Sequence, residues 1–273
     1  MPTDNDCPVC GAVTRDWASA TVLRDVPVTY ERCTSCGLVR ARDVTWLDEA
    51  YSSAIAGLDI GLLDRCVVLS DVSAAFLHAA KLRQGPFLDW AGGYGILTRL
   101  MRDRGFDFHD HDPMAANVLA GQYRVDDLGS RRFQAVTAFE VLEHLEDPVA
   151  QLTDVAARTD VLLVTTQVLP EPTPLPADWA YYALESGQHV TFYTKDSIRT
   201  LARRLGFSSS VSGSLVHVMY RGRLPWRARR LVQLHQAAYL VGLARSIGDR
   251  RRSLLLDDVD DYRQRLGLPG ADR

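Results

Sequence analysis

The chain has 273 residues, with 31 lysine and arginine residues against 34 acidic ones and a formal net charge of −3 at pH 7. That near balance offers no general attraction for nucleic acid or an anionic membrane surface, and no apolar stretch is long enough to span a bilayer. The start, Met1 to Asp6, has no basic segment followed by an apolar one, so no secretory signal is read and a cytoplasmic location is expected.

The first pattern is a pair of cysteine knuckles, Cys7-Pro8-Val9-Cys10-Gly11 and Cys33-Thr34-Ser35-Cys36-Gly37, with room for a hairpin between them. Four soft thiolates on two short loops suit a tetrahedral Zn²⁺. Cys7, Cys10, Cys33 and Cys36 fill every position with sulfur and leave none for water, so the expected zinc is structural. Disulfides are the lesser use of such cysteines in a reducing compartment. Cys66 reads as an ordinary buried thiol. A strand is predicted over Val26–Arg32, then helix from Trp46 to Gln84 until Gly85-Pro86 breaks the pattern.

Phe87-Leu88-Asp89-Trp90-Ala91-Gly92-Gly93-Tyr94-Gly95-Ile96-Leu97 follows, a strand running into a glycine-rich turn and a helix predicted over Ile96–Arg104. Small residues there let the backbone turn beside a ligand, at which the helix points its free amides. Asp107 to Pro113 reads as a second strand ending in acids; such a carboxylate either accepts hydrogen bonds from ribose hydroxyls or caps a helix starting near Met114. Asp112 is the first choice for the ribose and Asp110 the alternate. Phe133 to Pro148 is an apolar strand whose C-terminal end gathers Glu140, Glu143 and His144, where ligands of parallel sheets bind.

These three stretches resemble, in order, the motifs of class I S-adenosylmethionine (SAM)-dependent methyltransferases: Asp-x-Ala-x-Gly-x-Gly, the acid before Pro113, and Phe-Glu-Val-Leu-Glu-His-Leu-x-Asp-Pro. The resemblance spans Phe87 to Tyr220 and implies a Rossmann-like seven-stranded α/β sheet. It implies SAM contacts from Asp89, Ala91, Gly92, Gly93, Tyr94, Gly95, Asp112, Pro113, Phe139 and Glu140. Between Phe87 and Arg221 strands alternate with helices, the mark of a parallel sheet with covering helices; one strand is predicted over Asp160–Thr166 and a late one over Val211–Tyr220. Pro-rich Leu169–Pro176 reads as an exposed active-site loop.

After that loop come Trp179, Tyr181, Tyr182 and Gly187-Gln188-His189. With Glu143-His144 and the cysteine module, this run resembles zinc-containing sugar C-methyltransferases of deoxysugar pathways, although those usually carry Glu-His where this chain has Gln188-His189, and a large C-terminal domain where it has a short tail. The resemblance implies a small-molecule acceptor, such as a sugar or nucleotide-sugar, and a catalytic set of His189, His144, Glu143 and Tyr51. Histidine has the unperturbed pKa a general base needs near neutral pH, so His189 is the first candidate and His144 the second. Two other classes fit parts of the pattern: a non-catalytic SAM-fold assembly protein, and a nucleic-acid methyltransferase using the zinc module. The intact loop and acids disfavour the first, and the balanced charge the second.

The expected organisation is a zinc-ribbon-like module over 1–45, a helical linker or lid over 46–85, a SAM-binding domain over 86–221 and a helical extension over 222–273. The extension is read as an amphipathic, arginine-bearing helix followed by the acids Asp257 to Asp261.

Overall fold

The computed structural model describes residues 6–51 and 61–234, with Leu254, Asp257, Asp261, Gln264 and Arg265. Most of the arginine-bearing tail lies outside the described residues. In chain order the strands are β1 (Thr14–Val22), β2 (Val26–Cys33), β3 (Val39–Ala41), β4 (Phe87–Trp90), β5 (Phe108–His111), β6 (Val136–Ala138), β7 (Val161–Thr165), β8 (Thr191–Phe192), β9 (Ser209–Ser212) and β10 (Val216–Tyr220). The helices are α1 (Leu47–Ala50), α2 (Leu62–Ala80), α3 (Ile96–Asp103), α4 (Pro148–Ala157), α5 (Lys195–Arg204) and α6 (Trp226–Gln233). Two compact units result, one of Met1–Ile60 with Thr137–Leu224, the other of Gly61–Val136 with Pro225–Arg273.

In the first unit, β1-β2-β3-β8 form an antiparallel sheet. The last strand comes from the segment just after His189, so the sheet of the cysteine module continues into the run that carries this histidine. The core on this sheet is aromatic. Tyr30 meets Tyr182 edge-on at 5.0 Å, Tyr182 meets Phe192 at 4.3 Å, and buried Trp46 and Tyr181 close the cluster. Trp179, Tyr181 and Tyr182 are thus packing residues, and Leu169, Thr173 and Pro176 of the proline loop are buried beside exposed Pro170 to Pro172. Asp147 caps α4 by accepting from the Ala150 amide at 2.9 Å, with Pro148 in the first turn. Thr194 and Ser197 make a reciprocal capping box on α5.

In the second unit, α2 buries Leu69, Val72, Phe76 and Ala80 and ends where Lys81 turns left-handed at φ 64°. Asp71 of this helix is buried and paired with Arg104 at 3.0 Å. Strands β4 and β5 run parallel in the register Phe87↔Phe108 to Trp90↔His111.

The larger sheet has the order β5-β4-β6-β7-β10-β9. Six strands stand where seven were expected, counted over the described residues. The chain between β5 and β6 folds as turns with a single 3-10 turn, Gly121–Tyr123, and touches the β5 edge through one bridge, Asp110 to Arg124. The expected helix near Met114 does not form either. The sheet is mixed, not parallel: the late segment is a hairpin, β9 and β10, and β10 runs antiparallel to β7. Two strands joined by a three-residue turn can only pair antiparallel, because a parallel return needs a long crossover.

Candidate active site

The glycine loop lies between β4 and α3. Gly93 and Gly95 take φ of 61° and 79°, and Ala91 is held at 58°, a left-handed conformation costly for a residue with a Cβ. The Ala91 amide is fixed on the His111 carbonyl at 2.7 Å. Gly92 has a spatial reason to be glycine: a Cβ there would overlap Asp110 Oδ1 and stand 2.6 Å from Asp89 Oδ2. A Cβ on Gly95 would overlap the Asn117 carboxamide. Asn117 has no counterpart among the sequence candidates; it accepts from the Ala120 amide at 2.6 Å, while Val118 and Leu119 donate to the Tyr94 carbonyl. Tyr94 itself is exposed, as is Pro113.

The two acids at the end of β5 differ in use. Asp112 accepts from the Gly93 amide at 2.8 Å through Oδ2 and from the Met114 and Ala115 amides through Oδ1, an Asx turn with no helix behind it. Asp110 is fully buried and neither of its carboxylate oxygens is hydrogen-bonded. Burial raises its carboxyl above the ordinary range.

In the other unit, four of the sequence candidates come together. Phe139 and Glu140 turn the chain at the end of β6; Glu140 takes φ 54° and its Oε1 accepts from Thr165 Oγ1 at 2.7 Å. One 3-10 turn later, Leu142–His144 presents Glu143 and His144. Glu143 is fully buried, and Tyr181 Oη donates to its Oε1 at 2.7 Å. Burial raises the Glu143 carboxyl above its ordinary value, partly offset by the neighbouring His189. The rings of His144 and His189 meet edge to face at 4.9 Å.

Each ring is fixed through Nδ1. His189 Nδ1 lies 2.6 Å from the Tyr181 carbonyl, and His144 Nδ1 lies 3.0 Å from the Gln188 carbonyl and 2.8 Å from Tyr51 Oη. A carbonyl only accepts, so the hydrogen-bond network assigns the ring proton to Nδ1 and a lone pair to Nε2 in both. Burial raises the Tyr51 phenol, with the Glu143 charge adding to the shift, so it stays protonated at neutral pH. Gln188, expected to stand where an acid would be, is a clamp: its side-chain amide donates to the Ala50 carbonyl at 2.8 Å.

The cysteines meet as their spacing suggests. Cys7 and Cys36 sulfurs are 3.6 Å apart, Cys10 and Cys33 sulfurs 3.4 Å, and the four Sγ atoms all lie within 4.8 Å of one another. A tetrahedral Zn²⁺ with bonds of about 2.3 Å sets its sulfurs about 3.8 Å apart, whereas a disulfide needs about 2.05 Å. Gly11 and Gly37, at φ 74° and 70°, close the knuckles, and the Ser35 and Cys36 amides point at Cys33 Sγ. Thr194 at the start of α5 donates to the Cys36 carbonyl at 2.6 Å, which ties the second knuckle to that helix. Cys66 is half-buried on α2, away from this set in sequence and unit.

Among the described residues, no helix is long and apolar enough to cross a membrane. No curated protein matches the chain. Among solved structures, it is similar to the magnesium protoporphyrin IX methyltransferase of Synechocystis PCC 6803 with bound S-adenosylhomocysteine, at 16% identity over 64% of this chain and 93% of that one, TM-score 0.43. It is also similar to a methyltransferase of calicheamicin biosynthesis, at 16% identity over 56% of this chain and 54% of that one, TM-score 0.40. A third is mitomycin 7-O-methyltransferase, at 17% identity over 56% of this chain and 53% of that one, TM-score 0.39. The family model for the methyltransferase domain matches residues 66–209, more than half of the chain, and the chain therefore belongs to the methyltransferase-domain family.

Proposed function

We propose that the protein is a SAM-dependent methyltransferase acting on a small-molecule acceptor, such as a sugar or nucleotide-sugar intermediate of specialised metabolism. The observation that carries the cofactor half is the glycine loop, with Gly92 free of a Cβ above two acids and the Gly93 amide drawn onto Asp112. Asp112 keeps the ribose role because it touches the loop backbone; Asp110, with its two unbonded oxygens, is the alternate. The acceptor class rests on the likeness of Glu143-His144 and Gly187-Gln188-His189 to the sugar enzymes.

SAM supplies an electrophilic methyl group, and the acceptor must lose one proton. In the cluster as it stands, His189 Nε2 is the atom assigned to take that proton, with its ring held in place through Nδ1 by the Tyr181 carbonyl. His144, oriented by Gln188 and Tyr51, is the second such atom. Cys7, Cys10, Cys33 and Cys36 would hold a Zn²⁺ that only fixes the two knuckles, since all four ligands come from the chain. Titration with S-adenosylhomocysteine by calorimetry tests the cofactor half directly. Micromolar binding is expected, and no measurable binding by folded protein would overturn the reading.

A further inference from the structure

The cluster in the first unit holds more than a single base requires. One carboxylate oxygen of Glu143 and one ring nitrogen each of His144 and His189 lie within 4.8 Å of one another. Glu143 Oε2 is buried without a hydrogen-bond partner, while Oε1 is held by Tyr181. A buried carboxylate with an unmet oxygen is costly unless a cation or a donor faces it. Both histidines bond a backbone carbonyl through Nδ1, which puts the ring lone pair on Nε2, and a bond of this kind on the other ring nitrogen is what orients metal-ligating imidazoles.

We infer that Glu143, His144 and His189 form a second metal site, distinct from the four cysteines, that takes a divalent first-row transition ion. Two imidazole nitrogens and one carboxylate oxygen suit such ions better than calcium, which prefers a shell of oxygens. Three protein ligands leave coordination positions open for an acceptor oxygen. The role in methyl transfer rests on the function proposed above. A loaded site changes which atom handles the proton: His189 holds the ion, and a coordinated hydroxyl loses its proton to solvent at lower pH than a free one.

Mn²⁺ is the probe, because four thiolates are a poor site for it. Zinc-replete protein, dialysed free of loosely held metal, is titrated with Mn²⁺ and followed by electron paramagnetic resonance. One Mn²⁺ per chain is expected, with at least a hundredfold weaker binding in Glu143→Gln and His189→Ala. Tyr181→Phe keeps the ring and removes the hydroxyl, which donates to Glu143, meets Thr166 Oγ1 and accepts from the Gln167 amide, and should weaken binding by about 10–100-fold. S-adenosylhomocysteine titration of every variant reports whether it is folded and whether the methyltransferase reading stands, independently of the ion. Cofactor binding without Mn²⁺ binding in the wild type would overturn the metal site and leave the enzyme assignment intact. Equal Mn²⁺ affinity in wild type, Glu143→Gln and His189→Ala would likewise overturn it.

Discussion

Gln188 donates its side-chain amide to the carbonyl of Ala50 across 2.8 Å, joining two positions 138 residues apart. Ala50 is the last residue of α1, and Tyr51 follows it with its hydroxyl 2.8 Å from His144 Nδ1. The neighbouring Trp46 indole donates to the Gly187 carbonyl at 2.8 Å, so the same two short segments are pinned twice. A glutamate at 188 could not make this bond when ionised, because a carboxylate only accepts. The amide is the group this position needs.

Gln188→Glu should therefore be destabilising by about 1–3 kcal/mol, the cost of leaving a buried polar group unmet. For a chain of this size, that lowers Tm by about 2–4 °C for each kcal/mol. Differential scanning calorimetry at pH 7 measures it, and an unchanged Tm would remove the clamp from the account.

The glycine loop should fail on the smallest of insults. Gly92→Val places carbon against the Asp110 and Asp89 carboxylates and should abolish S-adenosylhomocysteine binding. Asp112→Ala should weaken it at least tenfold, about 1.4 kcal/mol. Calorimetry on both variants decides. If Asp110→Asn carries the loss and Asp112→Ala does not, the ribose acid is Asp110.

Metal analysis of protein purified without added zinc should find one Zn²⁺ per chain, lost in Cys33→Ser. Thiolates must be deprotonated to bind, so acid should release the zinc and destabilise the first unit along with it. Four freely titrating thiols in folded, zinc-free protein would rule the site out.

His189→Ala should keep S-adenosylhomocysteine affinity and lose about a hundredfold to ten-thousandfold in turnover on its acceptor. Near-native turnover would pass the role to His144. Collapse of cofactor binding together with turnover would make His189 a structural residue, whose bond to the Tyr181 carbonyl is its purpose.

Much of this was legible in the chain because the signals are local. Cys-x-x-Cys-Gly builds its own knuckle, and the strand–glycine–helix run builds its own loop; in both, residues within a few positions of each other carry the information. The helix near Met114 failed on the same scale. Asp112 does accept from amides, but those amides belong to a turn and to Gly93, and the apolar residues at helical spacing after it, Met114, Val118 and Leu119, are exposed and have no core to face.

The sequence by itself determined the pairing of the two cysteine knuckles, the glycine loop, the acids at the end of β5 and the order of the motifs. Only the tertiary structure decided how β10 runs, that among the described residues the edge beyond β5 carries one bridge in place of a strand, and which bonds hold Tyr51, Glu143, His144 and His189 together, with Tyr181 among them. Those contacts close loops of up to 93 residues and depend on burial, which no local pattern encodes. Glu143 shows the difference most clearly: as a letter it is an acid at the end of an apolar strand, before a histidine, and only the aromatic packing around it makes it a buried carboxylate with one oxygen still to satisfy.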